Sequence, residues 1–312
     1  MNIQQLEYII AVDRYRHFVN AAEACFVTQP TLSTMIRKME EELEVQLFDR
    51  TDVPVKTTKI GQSVVNQAKI ALQHFNRIKE LVDDERQSCA GTFSLSIIPT
   101  IAPYLVPELL HKKEQTCTEL TLILKENITS SIITNIISGV IDGGIMATPL
   151  KNPDLIEYPI YYEKFYAYVH PSDILHKEKE IDIESLDIDN VWLLESVNCF
   201  RGQIERLCRK EEDFKEHQHV RYQARSINTL VNVVDLNSGI TVIPEMAAMT
   251  LNEEQQGNLR AFKGRTVVRE VSMVVSKEFI RRNILNKIIE IVGSVVPKSM
   301  KDPELKQFVV DV

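Results

Sequence analysis

The chain has 312 residues, 44% of them hydrophobic, and a net charge of -8 at neutral pH. That length predicts two or three domains, and the ordinary apolar fraction gives each one a core. The acidic balance excludes a protein that coats nucleic acid through bulk charge, and no stretch approaches the roughly twenty apolar residues that span a bilayer.

The N-terminus, MNIQQLEYIIAVDRYRHF, lacks a basic segment followed by a long apolar run. No signal peptide is predicted, so the cytoplasm is the expected location, where thiols are normally reduced. The five cysteines, Cys25, Cys89, Cys117, Cys199 and Cys208, form no CxxC pair and no metal-ligand spacing. Neither a disulfide framework nor a metal site is expected, and no cofactor is implied.

In chain order, residues 3–15 read as a helix with Leu6, Ile9, Ile10 and Val12 apolar. The most informative stretch follows, His17 to Glu42. Phe18 to Cys25 reads as a short helix whose Ala21, Ala22 and Ala24 let a second helix approach closely. Phe26 and Val27 make the turn. Thr28 stands where an N-cap would, and Pro30 falls in the first turn, where its missing N–H costs nothing. Leu32, Ile36, Met39 and Leu43 then form one apolar stripe of a helix. The opposite face carries Gln29, Thr31, Ser33, Thr34, Arg37 and Lys38. Short hydroxyls and amides followed by cations suit a helix whose N-terminal end enters a DNA major groove. The first sixty residues hold seven cations against nine anions. Affinity for DNA must therefore come from patterning and from dimerisation.

The segment VQLFDRTDVPVKTTKIG reads as a wing. Leu47 and Phe48 anchor it, Pro54 argues against a helix, and Val53 and Val55 alternate with polar residues. Arg50, Lys56 and Thr58 would reach phosphate or the minor groove, and Gly61 would end the wing. After it a helix with no internal Gly or Pro extends to about Glu85, with Val64, Ala68, Ala71, Phe75, Ile78 and Val82 at heptad spacing. A second copy of the same helix is the simplest partner for that seam; the alternative is packing on its own domain.

A break at residues 87–91 marks a hinge. FSLSII, LTLILK and GGIMA then read as strands, separated by helices over 99–115 and 130–141. YYEKFYAYVH follows as a strand. A second set comprises VWLLE, a helix from Cys199 to about Lys210, HVRYQA, a helix over 227–236, GITVIP and VREVSMVVS, before a last helix over 280–296. This order predicts a parallel α/β sheet with helices on both faces, and ligands of such sheets bind in the cleft between the halves.

Cys199 falls at the expected start of a helix, where unsatisfied N–H groups favour a thiolate, and Arg201 and Arg206 are near in sequence. Cys208 is nine residues on. Nine residues of helix span roughly 13 Å, whereas a disulfide needs Cα atoms within about 7 Å, so joining the two requires the helix to unwind. From the residues alone, the pair could equally be buried small hydrophobes. Cys25, Cys89 and Cys117 read as inert.

The segments LEYIIAV, HFVNAAEACFVTQPTLSTMIRKMEEELEVQLFDRT, IPTIAPYL and SVNCFRGQIERLC resemble the LysR-type transcriptional regulators, and within them the peroxide-sensing branch, over essentially the whole chain. The resemblance implies a winged helix-turn-helix domain at 1–60, a linker and dimerisation helix at 61–86, and a periplasmic-binding-protein-like α/β regulatory domain at 91–312. That domain would have one subdomain at about 91–164 and 269–300 and another at about 165–268. It implies a regulator rather than an enzyme, in which peroxide oxidises Cys199, a disulfide forms with Cys208, and oligomer geometry on DNA changes. Thr100, Thr129, Asn198 and Arg269 would form the peroxide pocket. Thr28, Gln29, Pro30, Thr31, Ser33, Thr34, Arg37, Lys38 and Arg50 would meet the duplex. The implied partners are an operator in double-stranded DNA, further copies of the chain as homodimer or homotetramer, RNA polymerase, and hydrogen peroxide as signal. Two residues depart from the branch's pattern: Asn198 stands where many members have His, and Gly202 where many have Asp. The alternatives are a regulator answering to a small metabolite in the cleft, and a thiol peroxidase.

Overall fold

The computed structural model describes residues 1–51, 54–85, 90–183, 186, 191–195, 199–207, 224–264 and 266–310. Val53, Cys89, Asn198 and Cys208 lie outside the described residues, as do most of the break at 87–91 and of the predicted strand at 219–224, and the expected end of the helix at Lys210. The chain divides into two compact units, Met1–Gln87 with Ser138–Val140, and Ser88–Ile137 with Ile141–Val312.

The first unit begins with α1 (Ile3–Tyr15), α2 (Phe18–Ala24) and α3 (Gln29–Leu43). Asn2 caps α1 in a reciprocal capping box with Gln5. Phe26 takes a left-handed φ of 57° in the turn before α3. Ile9, Val12, Ala21, Ala22, Leu32, Ile36 and Met39 form one core, and the alanines admit the neighbouring helices closely. Leu43, the last residue of the predicted stripe, is exposed. The wing is a two-residue antiparallel pair, β1 (Phe48–Asp49) with β2 (Lys56–Thr57).

Two expectations are corrected in α4 (Lys59–Glu85). Gly61 lies inside its first turn instead of ending the wing. The Thr58 hydroxyl accepts from the Gly61 N–H at 2.9 Å and donates to the Gln46 carbonyl at 2.8 Å, so Thr58 caps this helix instead of reaching for DNA. A Cβ at Gly61 would lie 2.0 Å from the Leu47 carbonyl oxygen. The heptad seam is the second correction. Ala68 is buried in the core of its own domain with Val65, and Val64 packs against it. Farther on, Ala71, Phe75 and Ile78 are exposed, the last two by 42% and 61%. The stripe serves its own domain first and is exposed beyond it. The Val82 side chain lies outside what is described.

The second unit continues with β3 (Gly91–Ile97), α5 (Ala102–Thr116), β4 (Leu120–Glu126), α6 (Thr129–Ile137), β5 (Gly143–Thr148), β6 (Leu155–Val169), β7 (Glu180–Ile181) and β8 (Val191–Trp192). Then come α7 (Cys199–Leu207), α8 (Ile227–Asn237), β9 (Ile240–Pro244), α9 (Glu245–Ala248), α10 (Glu253–Gln256), β10 (Leu259–Phe262), β11 (Val268–Ser276) and α11 (Arg282–Val295). Two 3-10 turns, Lys298–Lys301 and Pro303–Phe308, follow. Cys117 caps the C-terminus of α5 and is buried.

The sheet runs β4-β3-β5-β11-β6-β10-β7, with β9 also on β6 and β8 on β9. It is mixed, where the sequence predicted a parallel one. β3 is parallel to β4 and β5, but β11 runs antiparallel to both β5 and β6, and β6 antiparallel to β9 and β10. The first part of β6, to Lys164, pairs with β11, and the part from Phe165 pairs with β9. An apolar run such as VSMVVS reports burial on both faces and says nothing of the direction of its neighbours. One core gathers Phe93, Leu95, Leu105, Ile145, Met273 and Ile288; another gathers Phe165, Tyr168, Phe200, Ile204, Leu230 and Val242. Among the described residues no helix is long and apolar enough to cross a membrane.

Gly61→Ala tests the close approach of α4 to Leu47. An alanine inside a helix ordinarily gains about 1 kcal/mol over glycine, but here its methyl meets backbone, and overpacking costs about 1–3 kcal/mol. Urea unfolding should therefore find the variant less stable; a more stable variant would show that Leu47 yields freely.

Candidate DNA interface and thiol site

The Thr28 hydroxyl accepts from the Thr31 N–H at 3.4 Å and shares a hydrogen bond with the Thr31 hydroxyl at 2.8 Å, so α3 starts where its sequence places the cap. Leu32, Ile36 and Met39 point inward. Gln29, Pro30, Thr31, Thr34, Arg37 and Lys38 are exposed, and Ser33 is half-buried. Arg50 is held by contacts the sequence did not reveal. Its guanidinium pairs with Glu40 at 2.7 Å, donates to the Ser33 hydroxyl at 3.5 Å, and lies over the Phe18 ring at 5.1 Å. The other Glu40 oxygen accepts the Leu47 N–H at 2.8 Å, so one carboxylate fixes both the wing and its arginine against α3. On the far side, Arg16 pairs with Asp13 at 3.1 Å and donates to Thr57 at 2.7 Å, tying β2 to α1.

In the second unit, Cys199 is the first residue of α7 and is half-buried. The hydroxyl of Thr129, first residue of α6, donates to its Sγ at 3.3 Å. The next residue, Phe200, is fully buried, edge-on to Phe165 at 5.0 Å. The Arg269 guanidinium lies 5.3 Å from the Phe200 ring centre.

Arg269 on β11 and Glu163 on β6 form a buried ion pair, with side-chain exposures of 1% and 0%. One Glu163 oxygen takes Arg269 Nε at 2.6 Å and a terminal nitrogen at 2.5 Å. Its other oxygen accepts the Met246 N–H at 3.2 Å. Burial pushes the Glu163 carboxyl above its usual range, opposed by the Arg269 guanidinium and the Met246 N–H. Arg269 also donates to the Thr100 hydroxyl at 3.0 Å and to the Thr100 carbonyl at 3.2 Å. The Thr100 oxygen is thereby an acceptor, and its own proton is left to donate elsewhere.

The structure thus joins Thr129 to Cys199 directly, and Thr100 to Arg269, which rests on Phe200. Sequence reasoning missed Glu163 and two tyrosines. Tyr104 donates to Asn228 at 2.8 Å, and burial raises its phenol to about 12. Tyr161 is fully buried near the same ion pair, its hydroxyl without a partner among the described residues. A charged Glu163 within the run YYEKFYAYV, at a register that points inward, was the available signal. Gly202, on α7, would meet nothing within 4 Å if given a Cβ. Cys25 is half-buried at the end of α2, where burial and then Glu7 push its thiol up.

The description Bacterial regulatory helix-turn-helix protein, lysR family, belongs to the family model that matches residues 3–62, and LysR substrate binding domain to the one that matches 86–296. The hydrogen peroxide-inducible genes activator of Haemophilus influenzae is 34% identical over 249 residues, covering 80% of this chain and 82% of that protein. The DNA-binding transcriptional dual regulator OxyR of Escherichia coli K12 is 34% identical over 247 residues, covering 79% and 80%. Among solved structures, a full-length OxyR variant from Pseudomonas aeruginosa matches with a TM-score of 0.74 at 27% identity, over 94% of this chain and 98% of that one. Reduced OxyR from Porphyromonas gingivalis matches with a TM-score of 0.61 at 29% identity, over 68% and 97%. The chain belongs to the LysR family of bacterial helix-turn-helix transcriptional regulators.

Proposed function

We propose that this regulator senses hydrogen peroxide through Cys199, passes the signal to Cys208, and so alters a homo-oligomer bound to operator DNA in the cytoplasm. The observation that carries the reading is a hydroxyl, that of Thr129, donating to a half-buried sulfur at the first residue of a short helix. In the first step the Cys199 thiolate attacks one peroxide oxygen and the O–O bond breaks. Hydroxide leaves and is protonated to water, and the sulfur, oxidised by two electrons, becomes a sulfenic acid. In the second step the Cys208 sulfur attacks, the S–S bond forms, and a second water leaves. The segment from Cys199 to Leu207 is helical, and at about 1.5 Å per residue it is longer than the roughly 7 Å between Cα atoms that a disulfide allows. In this reading the bond therefore requires α7 to unwind and acts as a switch instead of a staple.

In this reading Thr129 steadies the sulfur. Thr100, its oxygen occupied by Arg269, turns its proton toward the peroxide. Arg269, held by Glu163, fixes the Thr100 hydroxyl in that orientation. Asn198 would complete the pocket. A metabolite anion in the cleft has less support, because Arg269 already carries Glu163. A thiol peroxidase has less support too, since a DNA-binding head would then serve no purpose. On DNA, the exposed face of α3 from Gln29 to Lys38 reads the groove and Arg50 meets the backbone. The exposed Phe75 and Ile78 of α4 suit a second copy, and RNA polymerase is the partner through which transcription changes.

Three outcomes are expected. Arg37→Ala should weaken operator binding and reduce the salt slope by about one if Arg37 meets phosphate, or relax discrimination by about 1–3 kcal/mol if it reads a base; unchanged affinity in a mobility-shift titration would remove α3 as the reading helix. After peroxide, non-reducing peptide mapping should join Cys199 to Cys208, and Cys199→Ser should abolish the response while the protein still binds DNA. A Cys199→Ser variant that still responds would end the sensing assignment. Gly202→Asp, for which there is room, should speed Cys199 oxidation at least about tenfold by supplying an acid for the leaving hydroxide; quenched alkylation and mass spectrometry measure that rate, and equal rates would show the acid to be dispensable.

A further inference from the structure

The family model ends at residue 296, and the chain continues past it as a tail that crosses both cores of the second unit. Met300 is buried in the first core. Leu305 packs with Val268 against the outside of β6 and β11. Val309 forms a parallel bridge with Val268, and the Val310 N–H donates to the Val268 carbonyl at 2.9 Å. Val310 itself is buried in the second core. Its carbonyl accepts a hydrogen bond at 3.3 Å from Gln203, a fully buried side chain on α7. The second Gln203 polar atom, Oε1, has no partner among the described residues. Among the described residues the tail is therefore the partner of this buried amide, through its Nε2.

We propose that the carboxyl-terminal tail is a latch on the switch helix: strapped across β6 and β11, it holds α7 wound through Gln203 and favours the reduced state. Gln203 sits one helical turn from Cys199, so α7 cannot unwind over the span between the cysteines while Gln203 keeps its place. Unwinding must break the Gln203 to Val310 bond and open the second core around Val310. The tail's registry with Val268, next to Arg269, makes β11 the common anchor of latch and thiol site. The consequence for redox behaviour rests on the peroxide-switch reading, whereas the contact itself does not.

The test uses reduced full-length protein, a chain ending at Asp302, Gln203→Met, and the two changes combined. Hydrogen exchange of the α7 amides, without peroxide, should be about tenfold faster in each single variant, as loss of a buried hydrogen bond and its packing permits. Amides of α1 to α3 should not change. The combined variant should exchange no faster than the truncated chain, because both changes act through one contact. The redox midpoint of Cys199 with Cys208 should fall by about 30 mV for that tenfold change, the disulfide being easier to form. Unchanged α7 exchange in both single variants overturns the latch, and so do effects that add fully. If truncation unfolds the second core, Gln203→Met alone decides by the same exchange. Absence of any Cys199 to Cys208 disulfide removes the switch reading, while the exchange result still decides the latch.

Discussion

The second unit depends on one buried ion pair. A guanidinium taken wholly out of water is sustained only by a close counter-charge and by acceptors for its remaining protons, and removing one partner of such a pair costs about 3–5 kcal/mol. Arg269 finds both in Glu163 and Thr100. β6 contributes to both cores and β11 to the first, so a single contact pins β6 to β11 close to where the pairing of β6 passes from β11 to β9. Met246, whose N–H completes Glu163, packs against both cores as well. Phe200 rests on the guanidinium, and its neighbour in sequence is Cys199. The sulfur inherits its position from this frame.

By contrast, α7 is only nine residues long. Helices so short are marginal alone and persist through the side chains they bury, here Phe200, Gln203 and Ile204. Its Arg201 and Glu205 pair at 2.6 Å, an i,i+4 contact that adds a few tenths of a kcal/mol. A small helix mounted on a rigid ion-paired frame is the arrangement a local chemical change at its first residue can undo while the sheet stays intact. The outer tail contact belongs to the same balance.

The first unit meets the problem of an acidic DNA-binding domain by consuming its anions internally. Asp13 takes Arg16, Lys69 and Thr57, and Glu40 takes Arg50 and the backbone of the wing. Arg37 and Lys38 remain exposed on α3. Net charge over the domain therefore says little about the potential at the face that matters, since paired carboxylates cancel locally and screening limits the rest.

Elements defined by their own periodicity and caps were determined by the sequence itself. Residues 3–15 and 268–276 appear as α1 and β11 with the expected bounds, and Thr28 caps α3. Those patterns are written within a few residues of chain, where backbone geometry alone sets the repeat. The resemblance of the motifs to a family supplied the class. What only the tertiary structure decided lies between distant residues. It set the antiparallel course of β11, and the short β7, β10, α9 and α10, too brief to carry a period. It turned Ala68 inward on α4, brought Leu47 against Gly61, and paired Glu163 with Arg269 across 106 positions. An apolar residue is buried equally well against any apolar neighbour, and a carboxylate suits any guanidinium. Which neighbour each one meets is settled only when the whole chain is packed.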